Sequence, residues 1–232
     1  HHNIAALNFL QLPLADLKDE LPINAKFFLF GLEAQGFLAF LLTMGVGPAL
    51  VAPDLRNNGL ALYLSRPFSR AEYVLGKMSV LMILLSLITW IPGLLLFFFQ
   101  SYLEGFGWLR ENAAIGFNLF VGSWVWILVL SLVSLAISAW VKWKPVARVA
   151  LLVVFYVFIG FAAALNEALD TWWGWLLSIW TAVQNVWASM FGLKMDTEMT
   201  MPLWSAWLTL AGCCLLCLWL LSRRIKAYEV VR

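Results

Sequence analysis

Five separate apolar stretches, each long enough to cross a bilayer, constrain this 232-residue chain more than any other feature. They run over Phe27–Ala52, Val74–Phe99, Ile115–Val141, Val146–Leu165 and Leu203–Ser222. A helix needs about 20 mainly apolar residues to span the hydrocarbon core, and each stretch supplies them. The expected fold is therefore all-α: a polytopic membrane helix bundle, with residues 1–232 forming a single transmembrane domain. Composition points the same way. Hydrophobic residues make up 63% of the chain and charged residues 12%, whereas a soluble domain has about 45–50% and about 25%. Water would not solvate such a surface, which excludes a soluble enzyme. Fourteen Trp residues fit a membrane, because indole favours the headgroup level, where the ring is buried and the N–H stays wet. A net charge of +2 suggests no nucleic-acid partner.

A sixth stretch, Thr171–Phe191, has the length of a span but a different texture. Gly174, Ser178, Thr181 and Asn185 recur at helical spacing, leaving Trp172, Trp173, Leu176, Trp180, Val183, Trp187 and Met190 around the rest of the circumference. That pattern predicts an amphipathic helix lying in the interface, residues 171–191, on the extracytoplasmic side.

Basic residues set the orientation, because loops rich in Lys and Arg stay in the cytoplasm. Arg56, Arg66, Arg70 and Lys77 fall in one connection, Lys142, Lys144 and Arg148 in another, and Arg223, Arg224, Lys226 and Arg232 in the tail. The alternate connections hold only Lys18, Lys26, Arg110 and Lys194. The tail, residues 223–232, is therefore expected in the cytoplasm, and the chain in the cell (inner) membrane. Counting Thr171–Phe191 as a span would send Arg223, Arg224 and Lys226 outside and Asp196 and Glu198 inside, against the rule. With five spans, the segment 1–26 is extracytoplasmic, so a cleaved signal or a further span is expected before residue 1.

The least lipid-like stretch is 53–77. Pro53 is expected to stop the preceding helix, Asn57-Asn58-Gly59 favours a turn, and Leu60, Leu62, Tyr63 and Leu64 form an apolar patch too short to span. Pro67 biases Arg66 away from helix. Ser69 and Glu72 then make a capping box that starts the next helix. This is the layout of a small cytoplasmic docking element held between two spans, or of an interfacial loop whose leucines dip into lipid.

The run GLALYLSRPFSRAEYVLGK resembles the region between the second and third spans of permease subunits of ATP-binding-cassette exporters of the type 2 class. The tail Arg223-Arg-Ile-Lys-Ala-Tyr-Glu229 is also similar to that family's ending, as is the topology with six spans, of which the first is absent here. The resemblance implies that 53–77 is a coupling element seated on a separate ATPase subunit. On that reading Asp54, Arg56, Leu60, Leu62, Tyr63, Arg66 and Arg70 contact the ATPase or hold the element in shape. It further implies a second permease copy, as homodimer or related heterodimer, lipids around it, and ATP and Mg bound by the partner rather than by this chain. The rival from another class is a non-transporting scaffold or assembly factor that recruits some other cytoplasmic protein.

The chain's own reagents are few. No GxxxxGK followed by Ser or Thr occurs, so no phosphate loop binds nucleotide here. HExxH and GxSxG are absent, and the two His residues are His1 and His2, which leaves hydrolytic chemistry without a base or metal site. Cys213, Cys214 and Cys217 sit in one apolar run with no His or carboxylate near them in sequence, and read as small apolar residues. Glu33 is the one carboxylate inside a span, with Gln35 close by. Such groups are costly in lipid and face a cavity or the bundle interior, so Glu33 is either a pathway or gating residue or a local hydrogen-bonding group near the headgroups. Gly31, Gly36, Gly45 and Gly47 allow close helix approach along the same span. Pro92-Gly93 should kink the second span, either for gating or as a packing detail.

Overall fold

The computed structural model describes residues 24–56, 70–141, 143–193 and 201–227, with the side chains of 51–56, 70–71 and 225–227 outside that description. The described residues are 92% helical and contain no strand. Five helical segments are long and apolar enough to cross a membrane: Ala25–Leu50, Glu72–Glu104, Phe106–Trp140, Lys144–Leu169 and Leu203–Arg224. The chain is thus a polytopic helix bundle of five spans. Phe30, Phe99 and Leu215 are among many large apolar side chains left outside it, a surface suited to lipid rather than water.

The first span is α1, Ala25–Arg56. It continues through Pro48 and Pro53, so Pro53 does not end the helix as the sequence suggested. The ring fixes φ near the helical value and removes a single N–H, a loss that one turn near a helix end tolerates. The second span is described from α2, Arg70–Ile88, and resumes after Thr89 as α3, Trp90–Glu104; Ser69 of the expected capping box lies outside the described residues. The break has two causes. Pro92 has no N–H for the Ile88 carbonyl, and the Thr89 hydroxyl bonds back to the Leu85 carbonyl at 2.8 Å, a pattern that bends helices.

Gly105 turns the chain with φ +92° and ψ 174°, a region open in practice only to glycine. The third span, α4, then runs over Phe106–Trp140 and begins nine residues before the apolar stretch that marks it in sequence. It is the central helix: 67% of its most apolar window is buried, against 33% or less for each of the other spans. Small residues make this approach feasible. Gly116, Gly122, Ser123, Ser131, Ser134, Ser138 and Ala139 are all buried, and a Cβ at Gly47 of α1 would collide with Ser134 Oγ. In lipid, where apolar area gives no drive between helices, such close backbone packing supplies the association.

The fourth span comprises α5, Lys144–Leu152, a π-helical turn Val153–Val157, and α6, Phe158–Leu169. Asp170 ends it in the left-handed conformation, φ 50°. The expected interfacial helix 171–191 is instead two pieces: a 3-10 turn Trp173–Leu177 and α7, Ile179–Met190. They form a re-entrant hairpin. The 3-10 turn folds back along α6, where Gly174 N–H donates to Asn166 Oδ1 at 2.6 Å. A Cβ at Gly174 would meet the Ala162 carbonyl and Asn166 Oδ1, so only glycine fits. Then α7 returns outward: Trp180 packs 5.1 Å from Trp126, and the Met190 carbonyl accepts from Asn118 two turns nearer the start of α4. At 12 residues, or about 18 Å, α7 cannot span. The last span is α8, Leu203–Ala227.

Candidate functional site

Two ends of the bundle carry different chemistry. At one end the termini of α1, α4 and α8 meet. Trp140 Nε1 donates to the Leu220 carbonyl at 3.4 Å, Arg224 Nε to the Ala139 carbonyl at 3.3 Å, and Ser138 Oγ to the Pro48 carbonyl at 3.5 Å. The Arg224 guanidinium lies 5.4 Å from the Trp140 ring and that of Arg223 lies 4.1 Å from Trp219. These cation–π pairs keep cations at an apolar edge. Alternation of the spans brings α2 and α5 to begin at this same end, with Lys77, Lys144 and Arg148 near their starts.

Of the residues expected to contact an ATPase subunit, Asp54 and Arg56 lie in α1 and Arg70 in α2. Leu60, Leu62, Tyr63 and Arg66 lie outside the described residues. The opposite end is aromatic: Trp172 stacks on Trp173 at 5.3 Å and meets Trp204 edge-on at 6.3 Å.

Between the ends, α1, α4, the π turn and α7 enclose an aromatic core. Trp126 and Trp187 are fully buried, against the expectation that Trp marks the headgroup level. Each indole N–H has an internal acceptor instead: Trp126 Nε1 donates to the Gly36 carbonyl and Trp187 Nε1 to the Gly122 carbonyl, both at 2.9 Å. With the polar atom satisfied, the rest of the ring belongs in the interior. The polar stripe of 171–191 is likewise used internally. Ser178 Oγ accepts from Thr181 N as the cap of α7, and Asn185 Nδ2 donates to the Met201 carbonyl at 2.7 Å.

Glu33 and Gln35 stand on opposite flanks of the buried Leu32/Gly36 stripe and are not brought together. Gln35 faces the second span: its Oε1 would lie 3.5 Å from a Cβ at Gly93, and the oxygen is buried without a hydrogen-bond partner among the described residues. Gln35 and the Pro92–Gly93 break therefore form one locality. Glu33 faces α7, where the Gln184 side chain lies beside its carboxylate. Both are half-buried. Neighbours at helical spacing extend this second locality: Phe37 lies one turn from Glu33, and Trp180 one turn from Gln184. Tyr156 closes the gap, 6.3 Å from the Phe37 ring and stacked 6.4 Å from Trp180.

Sequence reading missed Gln184, Trp180 and Tyr156. The Trp180/Trp187 repeat at seven residues was a visible signal, but the π turn that carries Tyr156 leaves no mark in the sequence. Through that turn consecutive residues Phe155 and Tyr156 both reach Phe40, at 5.4 and 5.0 Å. Among the described residues no three His, Cys, Asp or Glu side chains converge on a metal position. Cys213 and Cys217 are free thiols one turn apart on α8.

The architecture defines the class, a five-span membrane helix bundle with a re-entrant hairpin. No protein-family model matches the chain, and no curated protein is significantly similar to it.

Proposed function

We propose that the chain is the permease subunit of an ATP-binding-cassette exporter in the cell membrane, working as a homodimer or with a related permease and driven by a separate cytoplasmic ATPase subunit. The observation that carries the reading is the connection between α1 and α2. Two long helices deliver it to the same end of the bundle as the Arg223/Arg224 and Trp140 cluster. Its sequence Gly59–Lys77 resembles the coupling element of that family.

ATP and Mg belong to the partner, and this chain supplies a passage and a lever. Closure of the ATPase pair moves the element at 54–77. Because Arg70 opens α2 directly, that motion passes into α2 and reaches the break at Thr89–Gly93 beside Gln35. The basic end faces the cytoplasm, which places the re-entrant hairpin outside.

The test is a pull-down from gently solubilised membranes with an ATPase assay on the eluate. A stoichiometric phosphate-loop ATPase is expected with the unaltered chain and should be lost with Leu62→Asp and Tyr63→Asp together. Recovery of the same ATPase with the double variant would refute docking through this element. Recovery of a non-ATPase partner alone would favour a scaffold.

A further inference from the structure

We propose that the corner where α8 meets the end of α4 is a binding site for one anionic glycerophospholipid, its phosphate held by Arg223 and an acyl chain lying along the outer face of α8. The two arginines at this corner have different tasks. Arg224 turns inward: its Nε donates to the Ala139 carbonyl at 3.3 Å and its guanidinium lies over Trp140. Ala139 is in the last turn of α4, where carbonyls lack helical donors and the helix dipole favours a cation, so Arg224 ties α8 to its neighbour. Arg223 is exposed, with its guanidinium 4.1 Å from the Trp219 ring.

Stacking fixes more than a charge. A guanidinium laid on an indole face keeps its N–H edges, a planar fork that matches two phosphate oxygens. Trp219 stands one turn deeper in the span than Arg223, and the apolar stretch of α8 ends at Ser222. Indole favours the headgroup region, so the fork is held at the level of the lipid phosphates.

The face below the fork selects a lipid rather than a free anion. Leu215, Gly212 and Leu208 follow Trp219 at helical spacing. Leu215 is 68% and Leu208 62% exposed, and a Cβ at Gly212 would meet no atom within 4 Å. From 223 to 208 this apolar track runs about 22 Å, longer than the ~15 Å depth of one leaflet's hydrocarbon.

The neighbours select the headgroup charge. Neither α5 nor α8 contains Asp or Glu, and the one carboxylate of α4, Glu111, is at its far end. Lys144 adds a further cation where α5 begins. A zwitterionic headgroup would bring its ammonium into this positive field with no carboxylate of these helices to receive it, whereas an anionic headgroup meets attraction alone.

The experiment is native mass spectrometry of the purified full chain in mild detergent, titrated with phosphatidylglycerol or with phosphatidylcholine of the same chains. The fraction carrying one bound lipid should show phosphatidylglycerol binding about tenfold or more tightly. Arg223→Ala should weaken it about tenfold or more. Arg223→Lys keeps the charge but loses the fork and the stack, and should weaken it about three- to tenfold. Arg148→Ala removes a charge at the same end from α5, which packs against α1, and should change it less than about twofold. Inorganic phosphate in large excess should not displace the lipid.

Equal affinity for the two lipids would overturn the proposal, as would a folded Arg223→Lys chain that binds like the parent. Equal losses from Arg148→Ala and Arg223→Ala would also overturn it, by showing a diffuse field, and displacement by inorganic phosphate would show a phosphate site without a lipid. If the Arg223 variants do not fold, Trp219→Leu carries the test: a loss of about two- to fivefold is expected, and unchanged affinity overturns it. The site does not depend on the exporter reading, because lipid binding is read without any ATPase.

Discussion

Trp187 is the keystone of the re-entrant hairpin, and Gly36 is the residue that admits it. An alanine Cβ at position 36 would lie 2.7 Å from Trp187 Cη2 and 3.3 Å from Cζ3. The ring has little freedom to retreat, because Nε1 is held by the Gly122 carbonyl at 2.9 Å and Trp126 and Trp180 stand 6.0 and 6.1 Å away. Overpacking of this kind costs about 1–3 kcal/mol, partly offset by the better helix propensity of Ala over Gly, about 1 kcal/mol. Gly36→Ala should thus destabilise by up to about 2 kcal/mol, which lowers an apparent melting midpoint by roughly 2–4 °C per kcal/mol.

Trp187→Leu alone should cost more, about 2–4 kcal/mol, through the cavity it leaves. In that background the position-36 Cβ enters vacated space, so Gly36→Ala should become neutral or stabilising. A coupling of about 1–3 kcal/mol between the two sites is expected, read from midpoints of heated, detergent-solubilised protein by size-exclusion chromatography. Equal cost of Gly36→Ala in both backgrounds would refute the claim that the ring of Trp187 dictates glycine there.

Three further outcomes are expected. Gly174→Ala should unhook the 3-10 turn from α6, because its Cβ meets the immobile Ala162 carbonyl, and Asn166→Ala should cost about 1–3 kcal/mol by orphaning the buried Gly174 N–H. Thermal midpoints of both variants, each several degrees below the parent, check this. Gly105→Ala meets no atom within 4 Å, yet should destabilise by about 1–3 kcal/mol from backbone strain at φ +92° alone, while Gly107→Ala in the next helical turn should not. For orientation, with Cys213, Cys214 and Cys217 replaced by Ser, an impermeant maleimide added outside intact cells should label Gly107→Cys and not Trp143→Cys; the opposite pattern would invert the topology.

Much of the fold is legible in the amino-acid sequence alone. Span number follows from length and hydropathy, because lipid penalises any polar group within about 30 Å of hydrocarbon, and no tertiary context changes that. The break near Pro92 is legible for a similarly local reason, a missing N–H. The end of α1 is not. Pro53 disfavours but does not forbid helix, and only the structure shows the helix running through it to Arg56.

The candidate sites divide in the same way. The basic end, with Arg223 and Arg224, is written in the spacing of Lys and Arg among the spans. Glu33 announces itself as a carboxylate in an apolar run. Which neighbour it meets is not local information: Gln184 lies 151 positions away and reaches it only because the chain reverses at Asp170 and folds back into the bundle. The sequence 171–191 looks amphipathic by itself, since Ser178 and Asn185 are polar wherever they point. Tertiary structure decides that they point at Thr181 and the Met201 carbonyl.

The same holds for tryptophan. Composition places indole at an interface on average, but Trp126 and Trp187 are interior because Gly36 and Gly122 leave their carbonyls open to a side-chain donor. Hydropathy and charge sum over residues one at a time, so sequence alone determines how many helices cross and which ends are basic. Close approach and hydrogen-bond partnership are properties of pairs distant in the chain, and only the packed bundle decides them.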